Sequence, residues 1–270
     1  MKRSIEDTSV VFIGAGNLAS NLAPALKQQG FEPVQVYSRS KESASVLAAR
    51  IGCGFTTRTE DIVSGADLYV FAVRDDVLPR LLPCVPPNKG LWIHTAGSLD
   101  MHVLAPYSRR YGVIYPLQTF SKNRETDFSV VPVFIEGCNS EEEKVLAGIA
   151  GRISKRVIPV SSETRRHIHL AAVFACNFTN YMYAAANKIL SERHLPFDIL
   201  RPLIDETAAK VHRLDPAEAQ TGPAVRYDEQ VMNRQMELLT DPLLKTLYAE
   251  ISRGIFMQSR EKTTPPSHEQ

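Results

Sequence analysis

The chain has 270 residues, a length that favours two domains and can bury a core without staples. Hydrophobic residues make up 44% and charged residues 23%, and 31 basic against 30 acidic side chains leave a net charge of +1. That balance excludes a basic nucleic-acid-binding field and an acidic disordered chain, so any anion site must be local.

The first half alternates strand-like and helix-like runs. Val10–Ile13 is a short apolar strand that ends in a glycine turn, and Asn17–Gln29 is a helix stopped by Gly30. The turn reads Gly14-Ala15-Gly16-Asn17-Leu18-Ala19, a GxGxxA motif directly after a strand and before a helix. Gly14 permits the tight turn, Gly16 lets the backbone approach a pyrophosphate, and Ala19 lets helix and strand pack closely. The free N–H groups of Ala15 to Leu18 and the positive end of the helix dipole would hold the phosphates.

A second strand, Pro33–Tyr37, runs into Ser38-Arg39-Ser40-Lys41, and Lys41–Ile51 is the next helix. A site specific for NAD carries a carboxylate at this strand end for the ribose 2′-hydroxyl. Here cations and hydroxyls replace it. Arg39 can fork onto a 2′-phosphate while Ser38 and Ser40 donate hydrogen bonds, which predicts NADP(H). The bland alternative makes Arg39 and Lys41 solvated residues at a helix start.

Leu68–Val73, Leu91–His94, Val113–Tyr115 and Val131–Ile135 supply further strands, and continuous apolar runs suit a buried parallel sheet. Ligands in such sheets lie at the carboxyl ends of the strands. Val73, Thr95 and Gly97 are therefore expected to border the cofactor, with Ser98, Gln118 and Thr119 on the substrate side. Asp75 and Asp76 read as caps of the following helix. His94, a lone histidine at a strand end, reads as structural. Ser140, with Glu143 three residues on, is expected to open a helix as a capping box, and Arg156–Val160 is the last strand.

Beyond Ser162 the pattern turns helical: about 163–192 as one long helix, then Leu195–Arg213 and Asp241–Gln258. The chain thus reads as an α/β protein, a doubly wound, mostly parallel Rossmann sheet over 1–160, followed by an all-α domain over 161–260 and a disordered tail over 261–270. In the long helix His167 and His169 point to different faces, so they do not share a metal. His169, Cys176 and Asn180 fall within about 40° of one another at 3.6 residues per turn, flanked by Asn177. They form either a satisfied structural network or a site facing the cofactor cleft.

The four cysteines, Cys53, Cys84, Cys138 and Cys176, are widely spaced and join no histidine cluster, which argues against a zinc site and for reduced thiols. No apolar run has signal-peptide or membrane-span length, so a cytoplasmic protein without nucleic-acid or membrane partners is expected.

GAGNLA, VYSRS, HTAGS, YPLQTF, HLAAVFACNFTNYM and AQTGPAVRYD, in that order over about residues 8–258, are similar to a little-characterised bacterial family. It joins an NADP-oxidoreductase-type Rossmann domain to a helical domain of unknown function. Its superfamily includes ketopantoate, pyrroline-5-carboxylate, 6-phosphogluconate-type and deazaflavin-linked enzymes, and some members of the narrower family act as an alternative ketopantoate reductase. The resemblance implies an oxidoreductase acting on a small substrate and a homodimer formed through the helical domains. It also implies a polar catalytic pair, often Lys with Asn, on the first helix after the Rossmann domain. This chain has Asn177 and Asn180 there but no lysine before Lys188, which leaves His169 as the candidate proton donor. In the segment Gln220–Asp228, Thr221 and Gly222 would line the substrate. Arg226 would bind a substrate carboxylate, or else pair with Asp228. A substrate between the two domains is expected, with a non-catalytic NADP(H) sensor or a deazaflavin-linked reductase as alternatives.

Overall fold

Ser9 and four consecutive β-branched or aromatic residues make β1, Ser9–Ile13, and all but the first are buried. The computed structural model describes residues 8–261. The chain divides into two units between Cys176 and Asn177, inside the long helix and beyond the expected boundary near residue 160. His167 and His169 therefore belong to the first unit.

That unit is built on an eight-stranded sheet. In chain order its strands are β1, β2 (Glu32–Tyr37), β3 (Gly54–Thr56), β4 (Leu68–Phe71), β5 (Leu91–His94), β6 (Tyr111–Pro116), β7 (Val133–Gly137) and β8 (Val157–Pro159). They lie side by side as β3-β2-β1-β4-β5-β6-β7-β8, and only the β6–β7 pairing is antiparallel. The order reverses between β1 and β4, the point where open α/β sheets take their ligands.

Side-chain alternation explains the two-sided burial. Val10 and Phe12 of β1 pack with Ala19 and Leu22 on one face, while Val11 and Ile13 pack with Tyr69 and Trp92 on the other. The helices of this unit are α1 (Asn17–Gln28), α2 (Lys41–Ile51), the short α3 (Leu78–Leu81), α4 (Ser140–Ile153) and α5 (Ser162–Ala172). Asn139, not Ser140, caps α4: its side chain accepts from the N–H groups of Glu141 and Glu142, and the expected Ser140–Glu143 box does not form. Neither Asp75 nor Asp76 caps α3, whose cap position is Val77.

α5 runs into a π turn, Val173–Phe178, and on into α6, Thr179–Ser191. A π turn adds a residue to the helical turn. The regular phase that put His169, Cys176 and Asn180 on one face is therefore not kept.

The second unit continues with α7 (Arg201–Lys210), the short α8 (Pro216–Ala219), α9 (Glu229–Glu237) and α10 (Pro242–Glu261). The expected helix over Leu195–Arg213 is a 3-10 turn, Phe197–Leu200, followed by α7. Of the tail expected over 261–270, Glu261 ends α10 as helix, and 262–270 lie outside the described residues. No described helix is long and apolar enough to cross a membrane.

Candidate active site and nucleotide cavity

At the end of β1 the backbone turns so tightly that Gly14 takes φ +115°. Its N–H donates to the Tyr37 carbonyl at 2.8 Å, and a Cβ there would lie 2.2 Å from the Ala72 carbonyl oxygen. Gly14 is thus wedged between β2 and β4, where only hydrogen fits. Gly16 differs: its φ of −81° suits any residue, and a Cβ would meet nothing within 4 Å. The side chain is omitted where open space begins, as a ligand approaching the backbone requires. No side chain caps α1 and its first turn carries no acid, so the N–H groups of Asn17 and Leu18 have no intrahelical partner.

This turn opens onto a cavity of about 280 Å³ lined by Gly14–Gly16, Tyr37–Arg39 and Ala72–Arg74, together with Ser43 and Lys122. Ser40 is not on its wall. Its hydroxyl caps α2, accepting from the Ser43 N–H at 3.2 Å, and Ser43 faces the cavity instead. Ser43 and Lys122 were not singled out by sequence. The first sits in the first turn of α2, and the second arrives on a loop 79 residues away. Among the described residues no carboxylate pairs with Arg39 or Lys122, whereas Arg50 holds Glu125 and Arg58 holds Glu60. An uncapped helix start, a glycine that leaves room and unpaired cations beyond β2 fit a phosphorylated dinucleotide.

Further along the same sheet edge, Tyr115 near the end of β6 meets His169 of α5, with Oη 2.8 Å from Nδ1 and the rings edge to face. A Cβ on Gly97 would lie 2.6 Å from the ring's Cγ and Nδ1, so the imidazole occupies the space that Gly97 was expected to leave for a cofactor. The Nδ1 edge of His169 is pinned by Tyr115 and Gly97, and no described hydrogen bond engages Nε2. Burial, and then the nearby Asp75 carboxylate, push the Tyr115 phenol up to about 12. Asp75 itself accepts from the Ser98 hydroxyl. Tyr115, which the sequence offered only as a strand end and the first residue of YPLQTF, is the residue that fixes His169.

Beneath lies a charged anchor. Arg165 is wholly buried and bonded to Glu136 of β7, and the backbone and hydroxyl of Ser162 donate to the same carboxylate at 2.7 and 2.6 Å. This cluster ties the start of α5 to the sheet and so sets where His169 stands. His94 is buried: Nδ1 accepts from the Ala96 N–H at 3.2 Å, Nε2 has no partner among the described residues, and burial, reinforced by Arg165, holds the ring down to about 3.

The other candidates fare variously. Val73 lines the cavity, but the Thr95 hydroxyl is buried against the Phe71 carbonyl. Gln118 and Thr119 are exposed and bond each other. In the second unit Asn177 and Asn180 are exposed on the π turn and α6, and Arg226 is exposed in the 3-10 turn Pro223–Arg226. Asp228 is not its partner but caps α9, accepting from the Val231 N–H at 3.2 Å. Thr221 and the positive-φ Gly222 precede that turn.

The switch-point cavity and its glycine turn define the class of dinucleotide-binding Rossmann proteins. Residues 9–92 match the family described as NADP oxidoreductase coenzyme F420-dependent, and residues 131–255 match a domain of unknown function, DUF2520. A crystal structure from Bacteroides fragilis, described as a candidate NADP oxidoreductase, is 48% identical over 94% of this chain and 100% of that one, at TM-score 0.88. The chain belongs to this family of NADP oxidoreductases with a DUF2520 domain. A Thermotoga maritima protein shares the fold at 20% identity and TM-score 0.78, over 93% of this chain and 99% of that one. So does an imine reductase of Myxococcus stipitatus solved with NADP+, at 17% identity and TM-score 0.63, over 94% and 93%. No curated protein matches the chain.

Proposed function

We propose that this protein is a cytoplasmic NADPH-dependent reductase of a small carbonyl or imine metabolite, with a 2-keto acid such as ketopantoate the first to test. The observation that carries the reading is the Tyr115–His169 pair, set on the same sheet edge as a cavity suited to a phosphorylated dinucleotide. Residues Gly14 to Leu18 hold the pyrophosphate of NADP(H), and Ser38 and Arg39 meet its 2′-phosphate. When bound, the nucleotide supplies the hydride.

The chain's own part is to position and to move a proton. Tyr115 Oη fixes Nδ1 of His169, which leaves Nε2 as the ring atom that presents a proton to the substrate's oxygen or nitrogen. Asp75 and Ser98 hold one another near Tyr115 and give that edge its polarity. Asn177, Asn180 and Arg226 remain candidates for substrate contact, each testable by alanine substitution.

A homodimer through the helical unit belongs to the same reading. It is supported by the apolar groove between α6 and α10, where Ile189 and Ile251 are 42% and 45% exposed. Exposed apolar groove walls of this kind mark association surfaces.

The test is titration of the protein with NADPH and NADH, followed by ketopantoate or a cyclic imine added to the NADPH complex. Oxidation of the bound NADPH supports the reductase. Binding without oxidation across a panel of carbonyls and imines supports a sensor of NADP(H) instead.

A further inference from the structure

The loop that leaves β6 is tied across both helices beside the nucleotide cavity. Asn21 of α1 donates to the Ser121 carbonyl at 2.9 Å, and Arg50 of α2 bonds Glu125 at 2.9 Å. Between these two anchors, Lys122 Nζ donates to the Ser43 hydroxyl at 3.3 Å, on the wall that also carries Ser38 and Arg39. Three cations thus line one cavity: Arg74 is held by Asp76, whereas Arg39 and Lys122, from distant parts of the chain, have no carboxylate partner among the described residues. Such an arrangement suits an anion that needs more than one positive partner. A phosphate monoester carries about −1.5 to −2 charges near neutral pH, so a single guanidinium leaves it under-neutralised.

We propose that Lys122 is the second cation for the 2′-phosphate of NADP(H) and a specificity-determining residue for NADP over NAD. The inference rests on the nucleotide reading above and adds to it a contact from outside the β2–α2 segment. Arg39 supplies the planar fork and Lys122 the point charge, delivered by a loop whose flanks are already fixed. Ser43 holds the ammonium at the cavity wall.

The experiment compares NADPH and NADH affinities of the full-length wild type, Lys122→Gln and Lys122→Arg. Lys122→Gln is expected to weaken NADPH roughly tenfold, as the loss of one charge-assisted contact does, and to leave NADH unchanged. Lys122→Arg is expected to keep most of the NADPH affinity. An equal loss for both nucleotides would make Lys122 a structural part of the loop and overturn the proposal, and so would no loss for either. If the wild type binds neither nucleotide, the nucleotide site itself is wrong, a failure separable from that of Lys122 alone.

Discussion

The two units bury their apolar residues in opposite styles. In the first, whole strands such as Val10–Ile13 and Leu91–Ile93 are shut from solvent, and even the charged Arg165 is enclosed with its partner. In the second, only Ala224, Met232 and Leu244 are buried hydrophobics among the described residues, while Leu203, Leu238 and Met257 are more than half exposed. The first unit encloses its sheet in two apolar layers, and its site is held by backbone and buried charge. The second carries apolar surface with no such enclosure. Substitutions in the first should therefore be felt as lost stability or chemistry, and those on the second as altered association.

Gly14→Ala is the most severe test of that contrast. A methyl at 2.2 Å from a backbone carbonyl, at φ +115°, should cost roughly 2–6 kcal/mol and remove NADPH binding. Urea unfolding and nucleotide titration check it, and a stable, NADPH-binding variant would break the account of the turn. Arg165→Met leaves Glu136 half-satisfied against the sheet and should cost about 3–5 kcal/mol in the same unfolding assay.

Chemistry comes next. Tyr115→Phe should lower turnover about 10- to 100-fold with NADPH affinity unchanged, because the ring of His169 loses its fixed edge. Unchanged kcat would remove the pair from the mechanism.

His94 sharpens the comparison through pH. Its folded value, about 3, lies below the unfolded value of 6.5, so the unfolded chain binds the extra proton first. Stability from this group is complete above about pH 6.5 and falls by roughly 1.4 kcal/mol per pH unit on acidification toward 3. His94→Gln should flatten that slope in unfolding measured across the range.

The smallest effect on the first unit should come from the second. Ile189→Glu with Ile251→Glu should lower the mass seen by light scattering and leave NADPH affinity as it was. A dimer that persists would place the association surface elsewhere.

Much of the first unit was legible because its signals are local. β1, the glycine turn, α1 and α2 follow from apolar runs, small residues and a missing carboxylate within one stretch of chain. The misses are equally physical. Asn139 and Ser140 are adjacent cap-forming residues, and local chemistry does not choose between them. β3 is three residues long, with Phe55 exposed, so it lacked an apolar signature. The π turn shifts helical phase without a mark in composition. α8 is only four residues long, and the apolar positions of the nine-residue α9, Val231, Met232 and Met236, are few among charged and amide side chains. Tyr115 and His169, 54 residues apart, are joined only by the sheet's geometry, and Lys122 reaches the cavity only because two anchors carry its loop there.

Those anchors bear on the entropy of the segment after β6. A free connection from Leu117 to Asp127 would have to give up the conformational freedom of all its residues when ligand binds. Fastening at Ser121 and Glu125, with the Leu117 N–H on the Pro132 carbonyl and Phe120 stacked on Phe128, has already spent most of that freedom during folding, and leaves slack mainly at Gln118 and Thr119. The cost of ordering on ligand binding is thereby confined to the few residues directly after Tyr115 and Pro116.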